Sequence, residues 1–228
     1  MPATSSRLDR IARPWHLLTA LVSALSLIVQ VVLVIRGVNV LADESGQIAP
    51  VGIRILRFFS YFTVQSNILV IITCLALAAA PQRDGKVWRV LRIDALVGIT
   101  VTLIVYHFAL RPILDLHGIS AVTDIGFHYV TPLLAIIGWM LFGPRHRIDR
   151  DTVAWSLLWP ALYFAYSLIH GAISDWYPYP FVDVGVIGYL VALRNVVLVC
   201  ILLAAIGALY VYGDRKLPVT SVSRRRGR

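Results

Sequence analysis

Charged residues and cysteines are both scarce in this chain of 228 residues. Only 14% of its residues are charged, whereas soluble domains carry about 25%, which argues against a water-soluble globular domain and against a disordered chain. The two cysteines lie inside apolar runs without CxxC spacing, so neither a disulfide scaffold nor a cysteine-based metal or redox motif is indicated. The GxSxG, P-loop, GxGxxG and HExxH signatures of soluble enzymes are missing as well.

Apolar residues are abundant instead, at 58% of the chain with a mean hydropathy of +0.77. They are concentrated in six stretches of roughly 20 residues, the length that crosses about 30 Å of hydrocarbon. Period-2 alternation is missing, which argues against a transmembrane β-barrel. The sequence therefore predicts an all-α, polytopic membrane bundle of six transmembrane helices. The six predicted spans cover residues 16–35, 58–80, 93–110, 126–142, 152–173 and 185–212.

Basic residues are divided unevenly between the two ends of these spans. The chain has 21 Lys and Arg against 12 Asp and Glu, a net charge of +9. Sixteen of the 21 lie in the N-terminal segment, the loops after the second and fourth spans, and the tail, and four lie at the opposite end. By the positive-inside rule, we expect residues 1–213 to form a multi-pass domain of the plasma membrane with both termini cytoplasmic. Residues 214–228 are predicted to be a basic, disordered cytoplasmic tail.

Polar side chains within the predicted spans share one depth. Thr63, His107, His128 and His170 each lie within a few residues of the span end that has few basic residues. Polar groups are costly in a membrane and face the bundle interior or a cavity. We therefore expect one cavity in the outer half of the bundle, open toward the outer leaflet.

Arg194 lies near the middle of the sixth span, where an arginine needs a partner or water. Two arrangements are open: an ion pair with a carboxylate of an outer loop, or two-pronged hydrogen bonding to the acid headgroup of a lipid. The carboxylates of the outer loops are those of Asp124, Asp175 and Asp183.

The segment 61–67, Tyr-Phe-Thr-Val-Gln-Ser-Asn, is the densest polar patch in any span. Thr63, Ser66 and Asn67 are three and four residues apart and share a helix face. Hydrogen bonding between helices is one account of them. The other is chemical, because a threonine hydroxyl becomes a nucleophile when a nearby base removes its proton. His128, at matching depth, is the side chain type best suited to take that proton.

The outer loop 174–181, Ser-Asp-Trp-Tyr-Pro-Tyr-Pro-Phe, is rich in aromatic residues and proline. Trp and Tyr favour the membrane interface, which is one explanation of this composition. The alternative is a rigid lid over the cavity, in which Asp175 orients an imidazole or binds a ligand.

Three segments in this order, YFTVQSN in the second span, FHYVTPLL in the fourth and DWYPYPF between the fifth and sixth, resemble the androgen-induced protein family. The resemblance is to its small bacterial branch with six spans. Animal members are intramembrane threonine hydrolases that cleave fatty acid esters of hydroxy fatty acids. By motif position, the resemblance places the essential Thr and His of the family on Thr63 and His128. It implies a membrane-embedded hydrolase of fatty acyl esters.

The resulting prediction is an intramembrane hydrolase in which Thr63 attacks the ester carbonyl and His128 acts as base and then acid. No cofactor is expected, and the expected partners are membrane lipids and a fatty acyl ester. Nucleic acid is not expected, because the basic residues are scattered through loops and a short tail. Substrate contacts are assigned to Tyr61, Ser66, Asn67, His107, His170, Asp175, Trp176 and Arg194.

Two other classes of function stay open. His107, His128 and His170 lie at comparable depths on three spans, and imidazole binds both zinc and haem iron. A metal or haem protein would therefore use these three side chains. A non-enzymatic lipid-binding or partner module would use the polar cluster only for packing between helices.

Overall fold

A computed structural model describes residues 7–38 and 48–218 of the chain, with side chains from residue 10 onward. All regular elements in these two ranges are helical. Six stretches are long and apolar enough to cross a membrane: Arg10–Arg36, Phe62–Ala79, Lys86–Ile113, Gly118–Phe142, Arg150–Ser174 and Val184–Lys216. The prediction of an all-α chain with six such helices is confirmed, and the structure is compatible with a multi-pass integral membrane protein.

The α-helices are α1 (Arg7–Arg36), α2 (Val51–Phe59), α3 (Phe62–Ala79), α4 (Lys86–Val105), α5 (Gly118–Ile125), α6 (Thr131–Phe142), α7 (Arg150–Ser156), α8 (Leu158–Ser174) and α9 (Val184–Lys216). Two π-helical turns interrupt the third and fourth spans. The first π-turn, Tyr106–Leu110, follows α4, and the second π-turn, Gly126–Val130, joins α5 to α6. Short 3₁₀ turns cover Arg111–Ile113 and Pro180–Val182.

The second span begins at Phe62 and not at residue 58 as predicted. Ser60 and Tyr61 separate α3 from the short helix α2, and Tyr61 has extended backbone angles. The Ser60 hydroxyl donates to the Leu56 carbonyl at 2.8 Å, and its oxygen lies 2.6 Å from the Tyr166 hydroxyl. This break places Thr63 in the first turn of α3, where a backbone N–H has no partner within its own helix.

The fourth span begins at Gly118, eight residues before the predicted start, so His128 lies well inside the span and not a few residues from its end. The polar residues of α5 suggested a loop, yet Ser120, Thr123 and Asp124 are buried. The Thr123 hydroxyl donates to the Ile119 carbonyl of the same helix at 2.9 Å, which satisfies it without water. Hydropathy alone does not register this internal hydrogen bonding.

The last helix continues to Lys216, so the predicted boundary before residue 214 is too early for the helix. Asp214 is buried, and its Oδ2 accepts hydrogen bonds from the backbone N–H groups of Arg147 and Ile148 at 2.8 and 3.0 Å. Residues 219–228 of the predicted tail lie outside the described residues.

Helix α3 is the centre of the bundle and packs against α1 on one side and α4 on the other. Two apolar clusters fill the interior near the functional region. One joins α1, α3, α4 and α6 through small and aliphatic residues. The other is largely aromatic and joins Phe62 and Tyr163 to Tyr179, Val182 and Leu203. Helix α9 contributes few buried residues, as expected for a helix that faces lipid.

Candidate functional site

A cavity of about 30 Å³ lies between α3, α4, α8 and α9, at the end of the bundle opposite the arginine-rich loops. The 3₁₀ turn Pro180–Val182 and the first π-turn close it. Its walls are aliphatic and aromatic apart from six hydroxyl groups, those of Thr63, Thr102, Tyr106, Tyr163, Ser167 and Tyr179. The chemistry of this lining, and not its volume, matches an apolar chain that carries one or two polar atoms.

Thr63 is 8% exposed and presents its hydroxyl to this cavity. Its backbone N–H donates to the Tyr179 hydroxyl at 3.2 Å, and the two hydroxyl oxygens are 3.3 Å apart. Burial raises the pKa of Tyr179, so the phenol keeps its proton. Because the phenol oxygen accepts from the amide, its proton is free to be donated to Thr63 Oγ1 or to an atom bound beside it.

The two π-turns face each other, and the tyrosine of each turn contacts the histidine of the other. The Tyr106 and His128 rings are stacked, with centroids 3.8 Å apart and planes 14° apart. His107 Nδ1 lies 3.0 Å from the Tyr129 hydroxyl. A Tyr-His pair on one turn thus meets a His-Tyr pair on the other. π-Helical turns within α-helices occur frequently at functional sites, and here they place both histidines.

Asp124 holds the His128 ring. His128 Nδ1 lies 3.1 Å from the Asp124 backbone carbonyl, its hydrogen-bond partner, and 3.0 Å from Asp124 Oδ1, one helical turn along the same span. Asp124 Oδ2 accepts a short hydrogen bond from the Tyr106 hydroxyl. Asp124 is 6% exposed. A carboxylate that accepts from Nδ1–H fixes the ring and leaves the Nε2 lone pair as a base. Sequence analysis considered this carboxylate only as a partner for Arg194, although its spacing of four residues from His128 was a usable signal.

Asn67 connects three parts of the bundle and does not line the cavity. Its side-chain NH₂ donates to the Thr63 carbonyl at 2.9 Å and to the Phe127 carbonyl at 3.4 Å. Its Oδ1 accepts from the Ser23 hydroxyl of α1 at 2.9 Å. Asn67 therefore ties the first turn of α3 to the residue before His128. Ser66 is also buried away from the cavity, where a side chain on Gly98 would approach its Oγ to 2.9 Å.

The predicted pair of Thr63 and His128 shares one neighbourhood without direct contact. Thr63 lines the cavity, whereas His128 lies behind Tyr106, whose ring also lines it. Among the described hydrogen bonds, none joins the threonine hydroxyl to the imidazole; the hydroxyl meets Tyr179 instead.

Aromatic rings cover the end of α3. The Trp176 ring packs edge-on against Tyr61, with centroids 5.7 Å apart, and against His170 at 5.9 Å. The Arg57 guanidinium lies 5.1 Å from the centre of the Trp176 ring. Tyr61 in turn packs against Tyr179, and burial raises the pKa of its phenol to about 12. Two of the predicted contact residues therefore belong to the layer above the Thr63–Tyr179 pair.

Three other predicted contact residues lie apart from the cavity lining. His107 is exposed, and His170 is partly exposed beside the Ser174 hydroxyl, 3.3 Å from its Nδ1. Asp175 is exposed at the end of α8 with a left-handed backbone at φ 49°, and it forms no hydrogen bond or ion pair within the described residues.

Arg194 does not line the cavity, in contrast to its predicted role there. It is exposed on α9, and its guanidinium donates to the Oδ1 of Asn195 at 3.1 Å. The ion pair considered for it does not form within the described residues. Asp124 is engaged by His128, and Asp183 caps the start of α9 by accepting from the Val186 N–H. The physical reason is the orientation of α9, which turns this side chain away from the bundle.

The three histidines considered as metal or haem ligands take separate partners. His107 contacts Tyr129, His128 contacts Asp124, and His170 lies beside Ser174. In residues 7–38 and 48–218, no group of three or more His, Cys, Asp or Glu side chains is placed to hold a metal ion.

Comparisons of the chain with family models, with curated proteins and with solved structures returned no significant match.

Proposed function

We propose that this protein is an intramembrane hydrolase of fatty acyl esters with Thr63 as its nucleophile. The observation that carries the proposal is the position of the Thr63 hydroxyl. It lies in the wall of a buried apolar cavity, 3.3 Å from a phenol that keeps its proton, and close to an Asp–His pair. A hydroxyl, a base with its orienting carboxylate and a neutral donor are the parts that acyl transfer requires.

The cavity supports an acyl chain as the substrate group. Aliphatic and aromatic side chains of α4, α8 and α9 form most of its surface, so a hydrocarbon chain gains about 25 cal/mol for each Å² it removes from water. The hydroxyl groups of Thr63 and Tyr179 mark the place of the ester. The layer formed by Tyr61 and Trp176 closes this end of the bundle.

In the proposed reaction, Thr63 Oγ1 attacks the ester carbonyl and its proton passes through water to Nε2 of His128, because the Tyr106 ring lies between His128 and the cavity. Tyr179 donates its proton in a hydrogen bond to the developing oxyanion. The imidazolium then protonates the leaving alcohol. Water, deprotonated by the same ring, attacks the acyl-threonine carbonyl, and the ring then returns the proton to Thr63 Oγ1 as the bond to the acyl group breaks and the fatty acid is released. Asp124 keeps the ring oriented in both steps.

The order and chemistry of YFTVQSN, FHYVTPLL and DWYPYPF support the same proposal, because they resemble segments of the androgen-induced protein family. We extend the proposal to location: a plasma membrane protein with cytoplasmic termini and the cavity near the outer leaflet. The uneven distribution of basic residues supports this orientation.

The test is ester hydrolysis by the purified full chain in lipid nanodiscs. Suitable probes are 4-nitrophenyl dodecanoate and the ester of palmitic acid with a hydroxystearic acid. Thr63→Ala is expected to lower the rate by about 10³-fold or more, as loss of a nucleophile does, and Thr63→Ser to retain measurable turnover. His128→Ala is expected to lower the rate to a similar extent.

Matched controls are available for both positions. Thr100→Ala removes a hydroxyl of α4 that lies outside the cavity and donates to the Leu96 carbonyl, and His117→Ala removes an exposed imidazole outside the cavity. Both controls should leave the rate unchanged. Full activity in well-folded Thr63→Ala or His128→Ala protein would contradict the proposal.

A lipid-binding protein without catalysis is the second candidate, and one observation favours it: no described hydrogen bond joins Thr63 to His128. It predicts that a radiolabelled fatty acid binds to the chain while neither ester is cleaved. An activity probe for nucleophilic serine or threonine distinguishes the two, since it should label the natural chain and not Thr63→Ala.

A further inference from the structure

A second pocket lies at the opposite end of the bundle, among the arginine-rich segments. Its volume is about 30 Å³, and its walls come from α4, the loop before α7 and the end of α9. It shares no lining residue with the Thr63 cavity. Apolar side chains form part of the wall, and three arginines and one aspartate form the rest: Arg89, Arg92, Arg147 and Asp214.

Arg92 is a buried cation with unused donors. It is 7% exposed, and its Nη1 lies 3.5 Å from the Thr73 hydroxyl oxygen. Within the described residues, its Nε and Nη2 are buried and form no hydrogen bond to an oxygen or nitrogen atom, although the guanidinium also lies beside the Cys74 thiol. A charged donor removed from water without a partner is costly, so an acceptor in this pocket would stabilise the folded chain.

Asp214, which also lines the pocket, has a buried acceptor atom without a hydrogen-bond donor. It is 1% exposed, and its Oδ2 is engaged by the N–H groups of Arg147 and Ile148. Its Oδ1 is buried and meets no donor within the described residues. The described ion pairs do not include one between Arg92 and Asp214. The pocket therefore presents unmet donors from one residue and an unmet acceptor from the other.

A ligand that satisfies both walls must accept hydrogen bonds from a guanidinium and donate one to a carboxylate. An ionised carboxylate and a phosphate diester only accept. A phosphate monoester in its monoanionic form, which predominates below its second pKa of about 6, carries charged oxygens together with one P–OH donor. Phosphate oxygens also match the planar fork of arginine.

We propose that the pocket of Arg92 and Asp214 binds a phosphate group that carries a P–OH, either the monoester headgroup of a lipid or free inorganic phosphate. Arg92 binds the charged oxygens through Nε and Nη2, and Asp214 Oδ1 accepts the hydrogen bond of the P–OH group. Arg89 is already paired with Asp84 and Asp149, and the Arg147 guanidinium donates to the carbonyls of Gln82 and Arg83, so Arg92 supplies the unused donors. The site is independent of the hydrolase proposal.

The experiment measures lipid binding to the delipidated full chain by native mass spectrometry. Phosphatidic acid is compared with phosphatidylmethanol, which has the same tails and a negative charge but no P–OH group. We expect phosphatidic acid to bind at least about tenfold more tightly, the value of one charge-assisted hydrogen bond. Inorganic phosphate is added as a competitor: displacement of the lipid identifies free phosphate as a ligand, and failure to displace it identifies the lipid headgroup.

Variants assign the binding to the two residues. Arg92→Gln should weaken phosphatidic acid binding about tenfold or more, and Arg92→Lys, which keeps the charge but loses the fork, should weaken it less. Asp214→Asn replaces the free acceptor with a donor, so it should abolish the preference over phosphatidylmethanol. Arg150→Gln is the matched control, because it removes an exposed cation at the same end of the bundle and outside the pocket.

Two results would overturn the proposal. One is binding of neither phosphatidic acid nor phosphate to the folded chain, which would mean that water alone fills the pocket. The other is equal binding of both lipids with no change in Arg92→Gln or Asp214→Asn.

Discussion

Replacing Asp124 by Asn tests the arrangement around His128 most directly. Asn keeps the size of the side chain and can still accept the Tyr106 hydrogen bond, but it removes the charge that faces Nδ1. The imidazolium that forms during acyl transfer then loses its stabilising carboxylate. A hydrogen bond to a charged group contributes about 1.5–3 kcal/mol, and each 1.4 kcal/mol is about tenfold in rate. We therefore expect kcat to fall about 10- to 150-fold.

The distribution of the loss between kcat and KM is the informative part of the assay. Asp124 does not line the cavity, so KM for 4-nitrophenyl dodecanoate should stay unchanged while kcat falls. Asp115→Asn is the control, because Asp115 lies 3.0 Å from His117 in a pair that is almost fully exposed. An unchanged kcat in folded Asp124→Asn protein would refute the role of the carboxylate in orienting His128.

Three further predictions concern other parts of the molecule. Tyr179→Phe removes the phenol that binds the first turn of α3, so it should lower kcat about 10²-fold and stability by about 1 kcal/mol, measured by hydrolysis and thermal unfolding. Gly171→Val should destabilise the chain and disturb the aromatic layer, because a Cβ at this position would overlap the Tyr177 ring, and near-ultraviolet circular dichroism should report it. The guanidinium of Arg89 holds the pKa of Asp84 below its usual value. The ionised Asp84 therefore stabilises the folded chain fully above about pH 4, and this contribution is lost as the pH falls further. The free energy of unfolding of Asp84→Asn should be lower by about 1 kcal/mol at neutral pH, and the difference should disappear in acid.

The number of spans was predictable because a helix that crosses the hydrocarbon layer needs roughly 20 apolar residues, and mean hydropathy over such a stretch detects it. The starts of the second and fourth spans were not. Ser60 ends one helix through hydrogen bonds to Leu56 and Tyr166, and the latter contact requires the tertiary structure. Thr123 and Asp124 are polar residues whose hydrogen bonds form within the folded span, so the sequence alone placed them in a loop.

The candidate site was predictable in part for similar reasons. Thr63 could be singled out as a polar residue at the right depth, but its partner Tyr179 is 116 residues away and belongs to a loop. Tyr106 carries no sequence signal, since its role comes from stacking between two spans. Arg194 could be singled out by its residue type, but the direction in which α9 presents its side chain could not be predicted from the sequence.

The two π-turns make the site depend on the number of residues as well as on their identity. A π-turn contains one residue more than the regular α-helical path, and one residue corresponds to a rotation of about 100° around the helix axis. Deleting one residue from Tyr106–Leu110 or from Gly126–Val130 would therefore turn one half of that span relative to the other and separate the stacked rings. A related chain with the same tyrosine and histidine, but one residue shorter in either π-turn, would keep both residue types without bringing their rings together.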